Sequence, residues 1–339
     1  RPRDASRLLV LEKSSGKIRH KHFFDLPDFL KKGDLLVFNE TKVFKARLLG
    51  QREGISRQGE IEIFLLRPLD DFKWQVLAKP GRKLKIGVKI FFSRNFFCQV
   101  ENKSAEGIFT VVFNKKFSEV MKSANRWGHI PVPPYILKEP EKLSDYQTIY
   151  AKYTGSVAAP TAGLHFTKRF LARLKKQGVK FVYVTLHVGL GTFRPVKTEK
   201  AEEHIMHAEW AEIKKSAAAA INLAKKEKRR VAAVGTTVAR TLEGAVLRNE
   251  KYRPAAPLAE FSGDINLFIL PGFKFRVVDA LLTNFHLPKS TLLMLVSAFA
   301  NAPADKSVLA GKEKILAVYQ EAIKKKYRFF SFGDAMLIL

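Results

Sequence analysis

Val231-Ala232-Ala233-Val234-Gly235-Thr236-Thr237-Val238-Ala239-Arg240 opens with four consecutive apolar residues, stops on a glycine and turns at once into a helical pattern. A short apolar run bounded by a glycine is the signature of a buried strand, and a strand end that feeds a helix is the unit from which α/β sheets are built. The pattern repeats outward from this point. Upstream, the Ala-rich stretch Ser216 to Lys228 reads as helix and Val179 to Val188 as strand. Lys168 to Gln177 reads as a helix that follows a Thr167 N-cap and stops at Gly178. Downstream, Val238 to Arg248 continues as helix, Leu267 to Leu270 reads as strand, Ser290 to Ala300 as a Ser-capped helix, and Lys312 to Lys326 as a last helix.

The stretch from about Gly50 to Phe117 follows another rule. Glu60-Ile61-Glu62-Ile63 alternates polar and apolar residues, the period of a half-buried strand. Phe72 to Ala78, Val88 to Phe92, Phe96 to Glu101 and Gly107 to Phe113 are further short aromatic or β-branched runs. Ser93-Arg94-Asn95 separates two of them at hairpin length, and Pro80-Gly81 and Glu106-Gly107 mark turns. Short strands in series imply a small antiparallel barrel. The expected architecture is an α/β domain (residues 1–45 and 120–339) with a β-barrel domain inserted over 46–119.

A chain of 339 residues with 46% hydrophobic content can bury a sizeable core and is not a disordered composition. The 60 Lys and Arg against 32 Asp and Glu give a formal charge of +28. Such an excess favours polyanions, because phosphate contacts release counterions. A lysine-rich surface with no such partner is the ordinary alternative. Cys98 is the single cysteine, so no intrachain disulfide or cysteine-cluster metal site forms. The first residues are polar, and the longest strongly apolar run, Leu292 to Ala300, is too short to span a bilayer. A soluble cytoplasmic protein is the expectation. The chain begins with Arg rather than Met, and a preceding segment is expected.

In α/β sheets, ligands bind beyond the carboxyl ends of the strands. Three segments fit: Gly155 to Thr167, small residues running into a helix; Thr185 to Arg194, a strand ending in two glycines and an Arg; and Gly235-Thr236-Thr237, followed by a helix carrying Arg240. A helix N-terminus with Thr hydroxyls suits a carboxylate or phosphate. Ordinary caps and tight turns explain any one of these segments equally well. Gly189-Leu190-Gly191 is not a dinucleotide fingerprint, since Arg194 stands in place of the third glycine. No phosphate-binding loop ending in Gly-Lys-Ser/Thr and no Gly-x-Ser-x-Gly elbow occurs.

His165 and His187 lie beside the small-residue loops, and His286 follows Thr283-Asn284-Phe285. Histidine is the side chain whose ordinary pKa suits proton transfer near neutrality. A buried histidine bonded to a neighbour is the competing reading for each. His204 and His207 would share a helix face with Glu209 nearby, a weak metal pattern that lacks the metalloprotease spacing. His20 and His22 fall on one side of a strand and read as surface residues.

These segments resemble the S-adenosylmethionine:tRNA ribosyltransferase-isomerase family of queuosine biosynthesis over essentially the whole length. The resemblance rests on Ser6 to Val10, Gly33 to Val37, Tyr146 through Thr167, Thr185 to Val196, His204 to His207, Val234 to Thr237, Arg240 to Glu243, Asp279 through Phe299 and Tyr327 to Leu339. Ala158-Ala159-Pro160-Thr161-Ala162-Gly163-Leu164-His165-Phe166 and Thr283-Asn284-Phe285-His286-Leu287-Pro288 are its most specific runs. The chain has Asn39-Glu40-Thr41-Lys42-Val43 where the family usually reads Asn-Asp-Thr-Arg-Val.

The resemblance implies transfer and isomerisation of the ribosyl group of S-adenosylmethionine onto 7-aminomethyl-7-deazaguanine in a tRNA anticodon. The product is epoxyqueuosine, with release of adenine and methionine. It implies no prosthetic group and no metal, S-adenosylmethionine as co-substrate, and a monomer. The expected catalytic residues are His165, His187 and His286. The expected substrate-binding residues are Thr161, Gly163, Gly189, Gly191, Thr192, Arg194, Gly235, Thr236, Thr237 and Arg240. A non-catalytic RNA-binding module is the alternative; it accounts for the charge and the barrel but not for three small-residue loops at strand ends.

Overall fold

The computed structural model describes residues 2–53, 60–105, 107–133, 135–136, 138–189, 206, 208–250, 256–302, 305, 307 and 309–339. The chain opens with β1 (Arg7–Leu11), β2 (Ile18–His22) and β3 (Leu35–Asn39), then β4 (Thr41–Val43) and β5 (Arg47–Arg52). β6 (Ile61–Pro68), β7 (Lys73–Lys79), β8 (Lys89–Ser93), β9 (Phe96–Lys103), β10 (Phe109–Phe113) and helix α1 (Phe117–Trp127) follow. After β11 (Tyr153–Ser156) come α2 (Lys168–Lys176), β12 (Lys180–Leu186), β13 (Glu209–Ile213), α3 (Lys215–Lys226), β14 (Val231–Val234) and α4 (Thr236–Glu250). The chain closes with β15 (Phe261–Ile265), β16 (Ala280–Asn284), α5 (Thr291–Phe299), α6 (Ala310–Lys324) and β17 (Ala335–Ile338).

Two compact units result: residues 1–41, 147–153 and 159–339, and residues 42–146 with 154–158. The first holds a nine-stranded sheet in the order β15-β13-β12-β3-β14-β16-β17-β1-β2. Within it β12, β3, β14 and β16 are mutually parallel neighbours. β3, β14 and β16 are buried along their whole length, as the continuous apolar runs require of strands covered on both faces. Leu36, Phe38, Ala232, Val234, Ala280 and Leu282 meet Phe166, Phe170 and Leu174 in one core cluster. Phe170 and Leu174, one turn apart, are therefore what α2 contributes to the core.

The second unit is a closed barrel of six strands in the order β10-β7-β6-β5-β8-β9, all neighbours antiparallel. Ile61, Ile63 and Leu65, at the period of two, are buried in it. The expected α/β architecture with an inserted antiparallel barrel is thus the one observed. Contacts group residues 120–146 with the barrel, where the sequence reading placed them in the α/β domain. The reason is aromatic: Phe117 at one end of α1 stacks on Trp74 at 5.6 Å, and Trp127 at the other meets Phe96 at 6.0 Å.

One expected strand is absent. Leu267 to Leu270 forms no ladder, and the strand of that region is β15, which pairs with β13. Gly263 and Asp264 sit inside it. Expected helix caps hold: Thr167 Oγ1 accepts from the Phe170 amide at 3.1 Å, and Ser290 Oγ accepts from the Leu293 amide at 3.2 Å.

Candidate active site

The four parallel strands β12, β3, β14 and β16 end on the same edge of the sheet, and each end is followed at once by polar side chains. Asn39 ends β3 and Glu40-Thr41 follow it, His187-Val188-Gly189 follow β12, Gly235-Thr236-Thr237 follow β14, and Asn284 ends β16 with Phe285-His286 after it. This is where open α/β sheets place their ligands.

Asn39 closes the gap between the first two ends. Its fully buried amide donates to the Leu186 carbonyl at 3.0 Å and its oxygen accepts from the Leu186 and Thr41 amides, each at 3.1 Å. That fixes Thr41, whose hydroxyl lies 2.8 Å from His187 Nδ1. The His187 ring stacks on Trp210 at 5.1 Å and 22°. Burial holds its pKa down to about 4, so the imidazole is neutral at neutral pH. With Nδ1 on Thr41, Nε2 has no hydrogen bond among the described residues.

His165 ends a 3-10 turn, Thr161–His165, and is buried. Asn284 assigns its tautomer. The Asn284 Nδ2 donates to the Phe330 carbonyl at 3.2 Å, which can only accept, so the same amine donates to His165 Nε2 at 3.3 Å. The ring proton therefore sits on Nδ1 and is donated to Ser6 Oγ at 2.8 Å. Phe23 stacks on the ring at 4.9 Å. Burial again lowers the pKa to about 4. Both ring nitrogens are engaged, so His165 organises its surroundings: Thr161 Oγ1 donates to the other end of Asn284, at 3.4 Å.

His286 has Nε2 2.8 Å from Thr283 Oγ1, and its backbone amide donates to Tyr319 OH at 2.9 Å. Its packed neighbours desolvate the ring, and its pKa is also lowered to about 4. The three histidines do not converge on one atom. β12 and β16 are three strand places apart, which separates His187 from His286 by roughly 14 Å.

Arg240, expected to meet an anion, is already paired with one carboxylate of the protein itself. Its side chain and that of Glu209 are 4% and 3% exposed, and Nη1 donates to Glu209 Oε2 at 2.6 Å. Nε donates to the Leu267 carbonyl at 3.1 Å, and the Gly189 amide donates to Glu209 Oε1 at 2.8 Å. One carboxylate thus ties the end of β12 to α4. Arg240 Nη2 and the Thr237 hydroxyl are buried and have no partner among the described residues. Gly235 precedes them at φ +97°, a backbone that side chains rarely adopt. At Gly163 the reason for glycine is space, because a Cβ would stand 2.0 Å from Tyr150 OH.

Gly191, Thr192 and Arg194 lie outside the described residues, as do His204 and His207, so of the weak metal trio only Glu209 is placed. Asp279 sits at the opposite end of β16, accepting from the Val231 amide at 2.9 Å and from Lys225 at 2.6 Å. The sequence reading missed Ser6, Thr41 and Asn284 as the partners that orient histidines.

Neutral histidines, an arginine–carboxylate pair and hydrogen-bonding groups without a partner among the described residues, all at the ends of parallel strands, form the kind of polar edge that α/β enzymes carry. The comparisons with known proteins give the family. The chain belongs to the queuosine biosynthesis proteins, whose family profile matches residues 1–338. It is 47% identical over 339 residues to the S-adenosylmethionine:tRNA ribosyltransferase-isomerase of Moorella thermoacetica, covering 100% of this chain and 94% of that protein. To the protein of the same name from Carboxydothermus hydrogenoformans it is 49% identical over 342 residues, covering 99% and 94%. The crystal structure of S-adenosylmethionine tRNA ribosyltransferase from Thermotoga maritima is similar with a TM-score of 0.53 and 35% identity, covering 100% of this chain and 94% of that one.

Proposed function

We propose that this chain transfers and isomerises the ribosyl group of S-adenosylmethionine onto 7-aminomethyl-7-deazaguanine in a tRNA anticodon. The product is epoxyqueuosine, and adenine and methionine leave. S-adenosylmethionine serves as co-substrate and no prosthetic group takes part; the protein acts as a cytoplasmic monomer. Among the described residues no helix is long and apolar enough to cross a membrane. The reading is supported by the names of relatives that align along the whole chain, and a non-catalytic RNA-binding module leaves the strand-end polar groups without a purpose.

The observation that carries the mechanism is His187, a neutral imidazole held by Thr41 at a strand end, with Nε2 free of hydrogen bonds among the described residues. The positive sulfur of the substrate acidifies the neighbouring carbon, and a base must take that proton while departing adenine gains one. Nε2 of His187 is the group placed to accept or return a proton. His286 serves the second transfer, and His165 positions Asn284 and Thr161. The Thr236 and Thr237 amides in the first turn of α4 have no intrahelical acceptor, and with Arg240 Nη2 they form a subsite for the methionyl carboxylate. Gly163, Gly189, Gly191, Thr192 and Arg194 are the further substrate-binding residues of this reading. The α/β domain holds the co-substrate, and the barrel domain with the basic surface holds tRNA.

Adenine release that requires both S-adenosylmethionine and modified tRNA tests the function. Within it, His187→Gln is expected to lower turnover about 10²–10⁴-fold while both ligands still bind. Thr41→Val should lose less, because it frees the ring orientation and leaves the imidazole. Full turnover in His187→Gln would move the proton transfer to His286.

A further inference from the structure

The edge of the sheet beside His165 presents an aromatic pair that the core does not use. Phe23 turns inward and stacks on His165. Its neighbours turn outward: Phe24 is 42% exposed, and its ring lies parallel to the exposed His22 ring at 5.0 Å and 7°. β2, which ends at His22, is the outermost strand of the sheet.

Cations surround this pair. α2 begins three residues after His165 and carries Lys168, Arg169, Arg173, Lys175 and Lys176, all exposed, and no acidic residue. Arg173 Nη1 donates to the Phe24 carbonyl at 3.1 Å, which ties the basic helix to the aromatic pair. Lys21, next to His22 on β2, is exposed as well. None of these cations is ion-paired among the described residues. The nearby acids are Asp25, whose carboxylate accepts from the His22 amide at 2.9 Å, the exposed Asp28, and the buried Asp4, whose carboxylate accepts from the Thr167 hydroxyl at 2.8 Å.

We propose that this rim binds unpaired nucleotides of the tRNA anticodon loop flanking the reacting base. One base stacks on the open face of Phe24, and the adjoining phosphates lie against Lys21, Lys168, Arg169 and Arg173. A flat exposed ring among unpaired cations fits single-stranded RNA, whose unstacked bases offer π-faces and whose backbone is uniformly anionic. Phe24 stands alone among charged neighbours, which is too little apolar surface for a membrane. Continuity through Phe23 to His165 sets the rim at the edge of the candidate active site, where the nucleotides next to a bound anticodon base must pass. The assignment rests on the proposed function and adds the surface that receives the substrate.

The test measures tRNA affinity of the full chain across a salt series, with adenine release at saturating tRNA. Phe24→Ala should weaken binding roughly 5- to 150-fold, the range for one stacked base. Lys168→Glu with Arg169→Glu should weaken it by at least about tenfold and flatten the log–log salt slope by about one to two. A control of equal charge change, Lys312→Glu with Lys324→Glu on α6, should do markedly less. All these side chains are exposed, so the fold is not at stake. Binding unchanged in both rim variants, or equally weakened by the control, overturns the assignment while the function stands. A wild-type chain that neither binds tRNA nor releases adenine overturns the function itself, and the rim with it.

Discussion

The barrel and the sheet unit treat polar groups in opposite ways. The barrel strands bury Leu48, Ile63, Leu65, Trp74, Val76, Ile90, Phe96, Cys98, Val100, Phe109 and Val111, and no charged or hydroxyl side chain joins them. The sheet unit buries Asn39, Glu40, Thr41, His165, Glu209, Thr236, Thr237, Arg240, Glu243, Asn284 and Asp334. Buried polar groups cost free energy unless they are bonded, so a fold keeps them only where something else requires them. In this unit many of them stand at the strand ends. The difference teaches where chemistry is possible: an apolar barrel interior offers shape and a rigid surface, while the sheet edge holds groups that can move protons and meet charge.

The largest effect expected from this contrast is at Glu209. Its carboxylate is the charge partner of Arg240 and accepts the Gly189 amide. Removing it strands a buried cation, and Glu209→Ala should cost about 3–5 kcal/mol in denaturant unfolding, with S-adenosylmethionine binding lost alongside. Glu209→Gln keeps the acceptor oxygen without the charge and should recover part of the stability. If Glu209→Ala unfolded like the wild type, Arg240 would be solvated and the sheet edge no different from an ordinary surface.

Next in size is the response to acid. His165 stays neutral in the folded protein down to about pH 4, while the unfolded chain takes up a proton near 6.5. Above 6.5 neither state binds that proton. As pH falls from 6.5 towards 4 the unfolded state is progressively favoured, and below 4 the effect is complete. His165 alone should account for on the order of 3 kcal/mol of lost stability across this window. The loss should shrink in His165→Gln, leaving the parts due to His286 and His187. An unchanged acid slope in that variant would show that His165 is hydrated rather than buried.

How much of this was legible in the sequence follows from the range of each interaction. The strand and helix around Gly235 and the alternation of Glu60 to Ile63 are local periodicities, and the architecture they imply is the one observed. Leu267 to Leu270 misled because a short apolar run fits any buried segment; here Leu267 gives its carbonyl to Arg240. The histidine segments were visible as small-residue loops. Their partners were not: Ser6 meets His165 across 159 positions, Thr41 meets His187 across 146, and Asn284 meets His165 across 119. No spacing rule reaches that far. Arg240 was read as a ligand hook because its helix position suits one, and only the folded chain shows that Glu209, 31 positions away, already holds it.

The smallest effect probes the barrel, and it depends on dryness alone. Cys98 lies fully buried on β9, paired opposite Ile90 of β8 and Phe113 of β10. Burial pushes its thiol up, so it stays protonated and behaves as a small apolar side chain. Cys98→Ser changes little in volume but puts a hydroxyl where apolar neighbours surround the sulfur. A hydroxyl buried without a partner costs about 1–3 kcal/mol. Unfolding should register that loss, while turnover and S-adenosylmethionine affinity stay at wild-type values, because no proposed site residue lies in the barrel strands. The same exchange of apolar for polar is tolerated at the sheet edge, where bonded hydroxyls such as Ser6 and Thr41 are already in place. If Cys98→Ser were neutral in stability, water would have to reach the barrel interior, and the two regions would differ in composition but not in polarity.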